Sequence, residues 1–125
     1  MPINDLQIVI TQILNQQVQV VLATLDVREL CQHLMAYGLS DDLSVIYLAS
    51  YPDTRKVRNM RVSPLVSLLW DNRTGNISDH KKGYCLTAQG QAKELLNSEA
   101  DAARLCLNAR SPNTCHLYPS EPTEH

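Results

Sequence analysis

The sequence predicts a mainly β, α+β fold: an antiparallel sheet or barrel with helices at its periphery. Three observations carry that expectation. Runs rich in β-branched residues recur between residues 18 and 91, with VQVVLATL the clearest. The segments between them supply turn chemistry, as Gly38, Ser40, Asp41 and Asp42 do between the second and third runs. No alternation of strand, helix and strand is visible, so hairpins rather than parallel crossovers connect the runs.

The opening PINDLQIVITQILNQQ places Leu6, Val9, Ile10, Ile13 and Leu14 at helical spacing, with Ile3 one turn earlier. Pro2 suits a first-turn position, and Asn4 with Gln7 forms a capping-box pattern. The polar face of this helix is rich in Gln and Asn rather than basic residues, which fits a core-facing helix and not a membrane-surface one. A strand follows over about 18–25, then CQHLMAYGL as a second strand and LSVIYLASY as a third. Tyr51-Pro52-Asp53 breaks the third, and Asp53 or Thr54 caps a short helix, TRKVRNMRV, which Ser63-Pro64 ends.

LVSLLW is the fourth strand, and DNRTGNISDHKKG is a polar loop. YCLTAQGQAKEL alternates as a fifth strand, within which Gly90 signals a bulge or a close backbone approach. SEADAARLCLNAR is a helix with Ser98 as its cap, an acidic first turn, and an apolar face of Ala102, Leu105, Cys106 and Ala109. The expected organisation is one domain over residues 1–110 and an extended or disordered tail over 111–125, where three prolines interrupt any periodicity.

Composition excludes several function classes. The chain is 44% hydrophobic and 19% charged with a net charge of −2, a balance unsuited to nucleic-acid binding. No apolar run approaches the roughly 18 residues of a membrane span. The start lacks the basic, apolar and small-residue succession of a signal peptide, which makes a cytoplasmic protein the expectation. Cys31, Cys85, Cys106 and Cys115 form no CxxC pair and read as free, mostly buried thiols. Cys115-His116 alone falls short of a four-ligand metal set, so no metal is expected. No nucleophilic triad or Gly-x-Ser-x-Gly elbow occurs, and no catalytic residue can be named. His80 lies in a polar loop and His125 closes the chain.

Residues 53–61, DTRKVRNMR, hold four of the eleven Lys and Arg residues: Arg55, Lys56, Arg58 and Arg61. Two readings follow. The cluster is either a solvated basic helix or an anion site at a helix start. There, unpaired amides, the Thr54 hydroxyl and the Arg55 and Lys56 charges would converge on a phosphate. Positive charge at a helix N-terminus opposes the dipole unless an anion answers it.

The succession VVLATLD, QHLMAYG, LSVIYLASYPDTRKVRNMRVSPLVSLLWDN and LTAQGQAKEL resembles the pyridoxamine 5′-phosphate oxidase-like family of FMN-binding split β-barrels, over about residues 1–110. Its most specific part is the strand, turn and Thr-Arg-Lys helix, followed by Asn59, a proline turn and a Val-Ser-Leu strand. The resemblance implies that Arg55 and Lys56 hold the FMN phosphate with Thr54 in support, and that Ala49 and Ser50 line the ribityl chain. It implies that His33, Leu34, Met35 and Ala36 lie on the strand whose edge meets the isoalloxazine ring, with His33 where the pyridoxamine oxidases carry an arginine. It further implies a flavin-dependent oxidoreductase acting on a small substrate. The assembly would be a homodimer with FMN at the subunit interface, to which Trp70 and the 71–83 loop would contribute. A non-catalytic module for flavin, haem or the deazaflavin F420 is the rival, as is a cofactor-free degenerate dimer. The chain departs from the family in three ways. DVREL replaces a glycine-rich turn. The C-terminal Arg and His that grip pyridoxamine phosphate have no match. The Pro-rich tail stands where one or two strands normally follow, so the barrel is either shortened or closed by a strand stub from TCHLY.

Overall fold

The computed structural model describes residues 3–73 and 83–110. Helix α1 (Ile3–Gln16) buries Ile13 and Leu14 and half-buries Val9 and Ile10, as the spacing predicts, whereas Leu6 stays half exposed. Asn4 falls inside the helix rather than at its cap, and Pro2 lies outside the described residues. Strands β1 (Gln19–Leu25) and β2 (Leu30–Ala36) form an antiparallel hairpin paired from Leu25 opposite Leu30 to Gln19 opposite Ala36. Its turn closes through Asp26 N–H to the Glu29 carbonyl at 3.0 Å, so DVRE turns the chain without glycine. Strand β5 (Leu65–Asp71) pairs antiparallel with β1 and with β6 (Cys85–Gln91). The result is an open four-stranded antiparallel sheet of order β2-β1-β5-β6.

Alternation sorts the side chains. Val20, Leu22, Thr24, Leu68 and Trp70 are buried on the inner face, against α1 and Met35. Val21, Leu34 and Leu69 align across the outer face, which stays partly open to solvent.

The second predicted strand breaks at Tyr37. Strand β3 (Gly38–Leu39) leaves the main sheet and pairs with β4 (Ile46–Tyr47) in a separate two-stranded sheet. Tyr37 is fully buried at this corner, with its ring edge-on to Trp70 at 5.7 Å and its hydroxyl donating to the Leu14 carbonyl at 2.6 Å. Arg110 stacks on the Tyr37 ring at 4.3 Å and donates to the carbonyls of Leu14 (2.8 Å), Tyr37 (3.1 Å) and Gln17. It thereby satisfies acceptors that the end of α1 leaves open.

The third predicted strand, 43–51, shrinks to β4. Asp42 accepts from the Ser40 and Ser44 hydroxyls and the Ser44 amide, and Leu43 takes φ 62°, so turn geometry consumes the segment before Ile46. Gly90 sits in regular register opposite Val66 with nothing within 4 Å of a would-be Cβ, so neither a bulge nor a close approach occurs. Helix α3 (Ser98–Arg110) incorporates Ser98 as a helical residue, preceded by Asn97 at φ 58°. It buries Ala103 and Leu107 while Leu105 is 71% exposed, a face displaced by one residue from the expected one. The cause is Gly38, whose missing side chain lets the α3 backbone approach. A Cβ there would lie 3.0 Å from the Leu107 nitrogen. Cys31 and Cys106 are half-buried and Cys85 is exposed, so the three described thiols are free but not core residues. Cys115, His116, His80, His125 and the TCHLY stub lie outside the described residues.

Candidate functional site

Helix α2 (Arg55–Val62) starts where the extended chain leaving β4 turns at Pro52-Asp53, and it packs over β1. Asn59 fixes its orientation: the buried amide donates from Nδ2 to Thr24 Oγ1 at 3.1 Å. Thr54 occupies the N-cap position with extended backbone (φ −77°, ψ 157°), yet its side chain makes no cap bond. Its hydroxyl is 2% exposed and donates to the Tyr51 carbonyl at 3.0 Å, while the Ser50 hydroxyl lies 3.0 Å from it. Thr54 therefore braces the turn, and the amides of the first helical turn have no side-chain cap.

The basic cluster divides. Arg55 ion-pairs with Glu29 and, at 3.4 Å, with Asp26, tying the start of α2 to the β1–β2 turn. Arg58 donates to the Asp53 carbonyl, and Arg61 pairs with Glu94 at 2.6 Å. Such exposed pairs contribute little stability. Lys56 is different. Half-buried and without an ion pair among the described residues, it has its pKa lowered by burial. Arg58 also lacks an ion pair among the described residues but is exposed and bonded to backbone, so Lys56 is the half-buried cation without a counter-charge, and it stands at the uncapped helix start.

His33 is half-buried on β2, with Nε2 3.1 Å from Thr24 Oγ1. Burial pushes its pKa down, and the Lys56 charge pushes it the same way. Of the other expected residues on this strand, Met35 faces the core, Ala36 is buried, and Leu34 is 64% exposed on the outer face. Strand β2 is an edge of the main sheet, so one side of its backbone is unpaired. Ala49 and Ser50 are half-buried in the extended stretch between β4 and α2.

Helix start, Lys56, His33 and the Ser50–Thr54 hydroxyls thus form one neighbourhood. Trp70 does not join it: at 2% exposure it belongs to the core of its own chain. The 74–82 part of the expected partner loop lies outside the described residues. Thr24 had no place in the sequence reading and no motif marks it, while Asn59 entered only as part of the resemblance's motif, with no role at the site. A groove lined by Gln17, Val21, Leu34, Leu69 and Asp71 lies on the outer face and is a separate feature. Among the described residues no group of three His, Cys, Asp or Glu side chains could hold a metal ion, and no helix is long and apolar enough to cross a membrane.

No protein-family model matches the sequence, and no curated protein matches it. Solved structures do. Atu2129, a protein of unknown function from Agrobacterium tumefaciens, superposes with a TM-score of 0.81 at 24% identity, over 97% of this chain and 51% of its own. A haem-binding protein from Mycobacterium smegmatis matches at 0.70 and 20% identity, over 89% of this chain and 44% of its own. HutZ, the haem storage protein of Vibrio cholerae, matches at 0.69 and 14% identity, over 90% of this chain and 78% of its own. The chain spans about half the length of the Agrobacterium protein. At these identities the likeness speaks for architecture alone, and the architecture is the α+β split barrel of the pyridoxamine 5′-phosphate oxidase-like proteins, with its main sheet open.

Proposed function

We propose that this chain binds FMN, with the phosphate at the start of α2, and works as a flavin-dependent oxidoreductase on a small substrate. The observation that carries the proposal is Lys56, a half-buried ammonium with no counter-charge among the described residues, next to first-turn amides that no side chain caps. The donor set fits a phosphate. Amides and ammonium supply the donors, and the Ser50 hydroxyl can turn from Thr54 toward an anion. Arg55, already paired with Glu29 and Asp26, serves chiefly to hold the helix start in place. The unpaired edge of β2 suits a planar ring that hydrogen-bonds to backbone. Bound flavin would supply the redox chemistry, and this chain would supply placement and solvent exclusion.

A homodimer belongs to the same proposal, because the outer sheet face carries an apolar row that one chain leaves open. Haem is the second reading, favoured by the two haem proteins that share the fold. Absorption spectra with and without added FMN decide between them. Flavin bands should survive desalting in the wild type, and Lys56→Ala should weaken FMN affinity about tenfold or more, the loss of one charge-assisted contact. A Soret band instead transfers the site to haem. A spectrum that neither ligand changes leaves α2 a charged helix on a cofactor-free fold.

A further inference from the structure

The polar chain from Asn59 through Thr24 to His33 crosses an otherwise apolar inner face. Thr24 is 1% exposed and Asn59 8% exposed, and both contacts in the chain measure 3.1 Å. A β-branched apolar residue would fill the Thr24 position as well, so the hydroxyl needs another explanation. We infer that Asn59 and Thr24 fix His33 as its Nδ1–H tautomer, so that this histidine offers the ligand site a neutral hydrogen-bond donor beside the Lys56 ammonium.

The direction follows from donor counting. The Asn59 amide can only donate from Nδ2, so Thr24 Oγ1 accepts. The single Thr24 hydroxyl proton then remains for His33 Nε2, which must be the unprotonated nitrogen. The ring's one proton sits on Nδ1, for which no described residue provides an acceptor. Were His33 to protonate or switch tautomer, Nε2–H would face Thr24 and the threonine proton would be left buried without a partner, which is costly. The surroundings agree. Thr24 meets the ring from β1, the Lys56 charge on α2 acts on it, and Cys31 is its inner-face neighbour on β2. Among the described residues no carboxylate pairs with the ring, and Asp26 is engaged with Arg55.

The assignment of a ligand-facing role to Nδ1–H rests on the FMN proposal; the tautomer does not. Long-range 15N–1H correlation spectra of the ligand-free protein should show His33 with a protonated Nδ1 and a bare Nε2 at pH 7.5. Thr24→Val should shift the ring toward Nε2–H and weaken FMN about tenfold, the worth of one well-placed hydrogen bond. Thr24→Ser should restore both, which a purely structural defect of the valine variant would not predict for the tautomer. An Nε2–H ring in the wild type, or one that Thr24→Val leaves unchanged, overturns the relay. FMN binding of normal strength in Thr24→Val and His33→Asn overturns the ligand role alone. A wild type with this tautomer but no FMN affinity overturns the ligand role together with the cofactor proposal.

Discussion

His33 and Lys56 are two bases that the protein keeps reluctant to hold charge, His33 by burial and the Lys56 cation, Lys56 by burial. For His33 the folded pKa lies below the unfolded value, so between the two the unfolded chain binds more protons. Stability is then present in full above about pH 6.5 and declines as pH falls through that value toward the folded pKa. Urea midpoints should drop between pH 7.5 and pH 5.5 in the wild type, and His33→Gln should flatten that drop. An equal drop in both proteins would remove His33 as its source. An anion at the helix start would reverse both shifts, so phosphate added at pH 6 should raise the His33 titration midpoint seen by NMR. Sequence reading reached Lys56 and Thr54 through one local pattern, strand followed by turn and helix, and His33 through the family resemblance of the second strand. It could not reach Thr24, because a threonine within a strand of β-branched residues is ordinary and its partner Asn59 lies 35 residues away. Nor could it see that Glu29 and Asp26 claim Arg55, since that pairing depends on where the hairpin turn falls.

Elements with strong periodicity were legible from sequence: α1, the β1–β2 hairpin, α2, β5 and β6 all lie near their expected bounds. Failures occurred where tertiary contacts override local pattern. CQHLMAYGL reads as one strand because its propensity never lapses, yet Tyr37 leaves the ladder to bond the end of α1. The face of α3 was misplaced because alanines and leucines surround that helix, and only the close approach to Gly38 selects which side packs. Gly38 and Gly90 therefore make contrasting tests. A Cβ at Gly38 would meet backbone, with Leu107 N at 3.0 Å and the Cys106 carbonyl carbon at 3.1 Å, atoms that cannot swing aside. Gly38→Ala should destabilise by about 1–3 kcal/mol, as overpacking does. Calorimetry should then read a Tm lower by roughly 4 °C or more. Gly90→Ala, with open space around it, should be neutral or slightly stabilising. Equal effects at the two glycines would refute the packing account of α3.

Across the whole molecule, the outer sheet face is the feature one chain leaves unfinished. Leu34 and Leu69 flank Val21 in one row, and Leu30 and Leu65, 78% and 56% exposed, lie on the same face beyond Gln32 and Ser67. Antiparallel sheets usually turn a polar face to water, so an apolar row of this kind asks for cover. If a second copy provides it, Leu34→Glu should convert a dimer to a monomer in sedimentation velocity. With the flavin site at the subunit interface, FMN retention should fall in the same variant. A wild type that sediments as a monomer would remove the homodimer from the proposal and leave the α2 site standing.

The Arg110 clamp bears on the order in which the chain acquires its shape. It joins the carbonyl of Leu14 to a side chain 96 residues later, among the most sequence-distant bonds in the fold. Contacts of that span close late, because the loop entropy must be met before they form. During synthesis Tyr37 can bond the carbonyls of Leu14 and Gln17 once the β1–β2 hairpin has emerged, but the Arg110 bonds to the same carbonyls wait for residue 110. The end of the first helix is thus fastened in two stages, first by Tyr37 and last by Arg110, which closes over the Tyr37 ring.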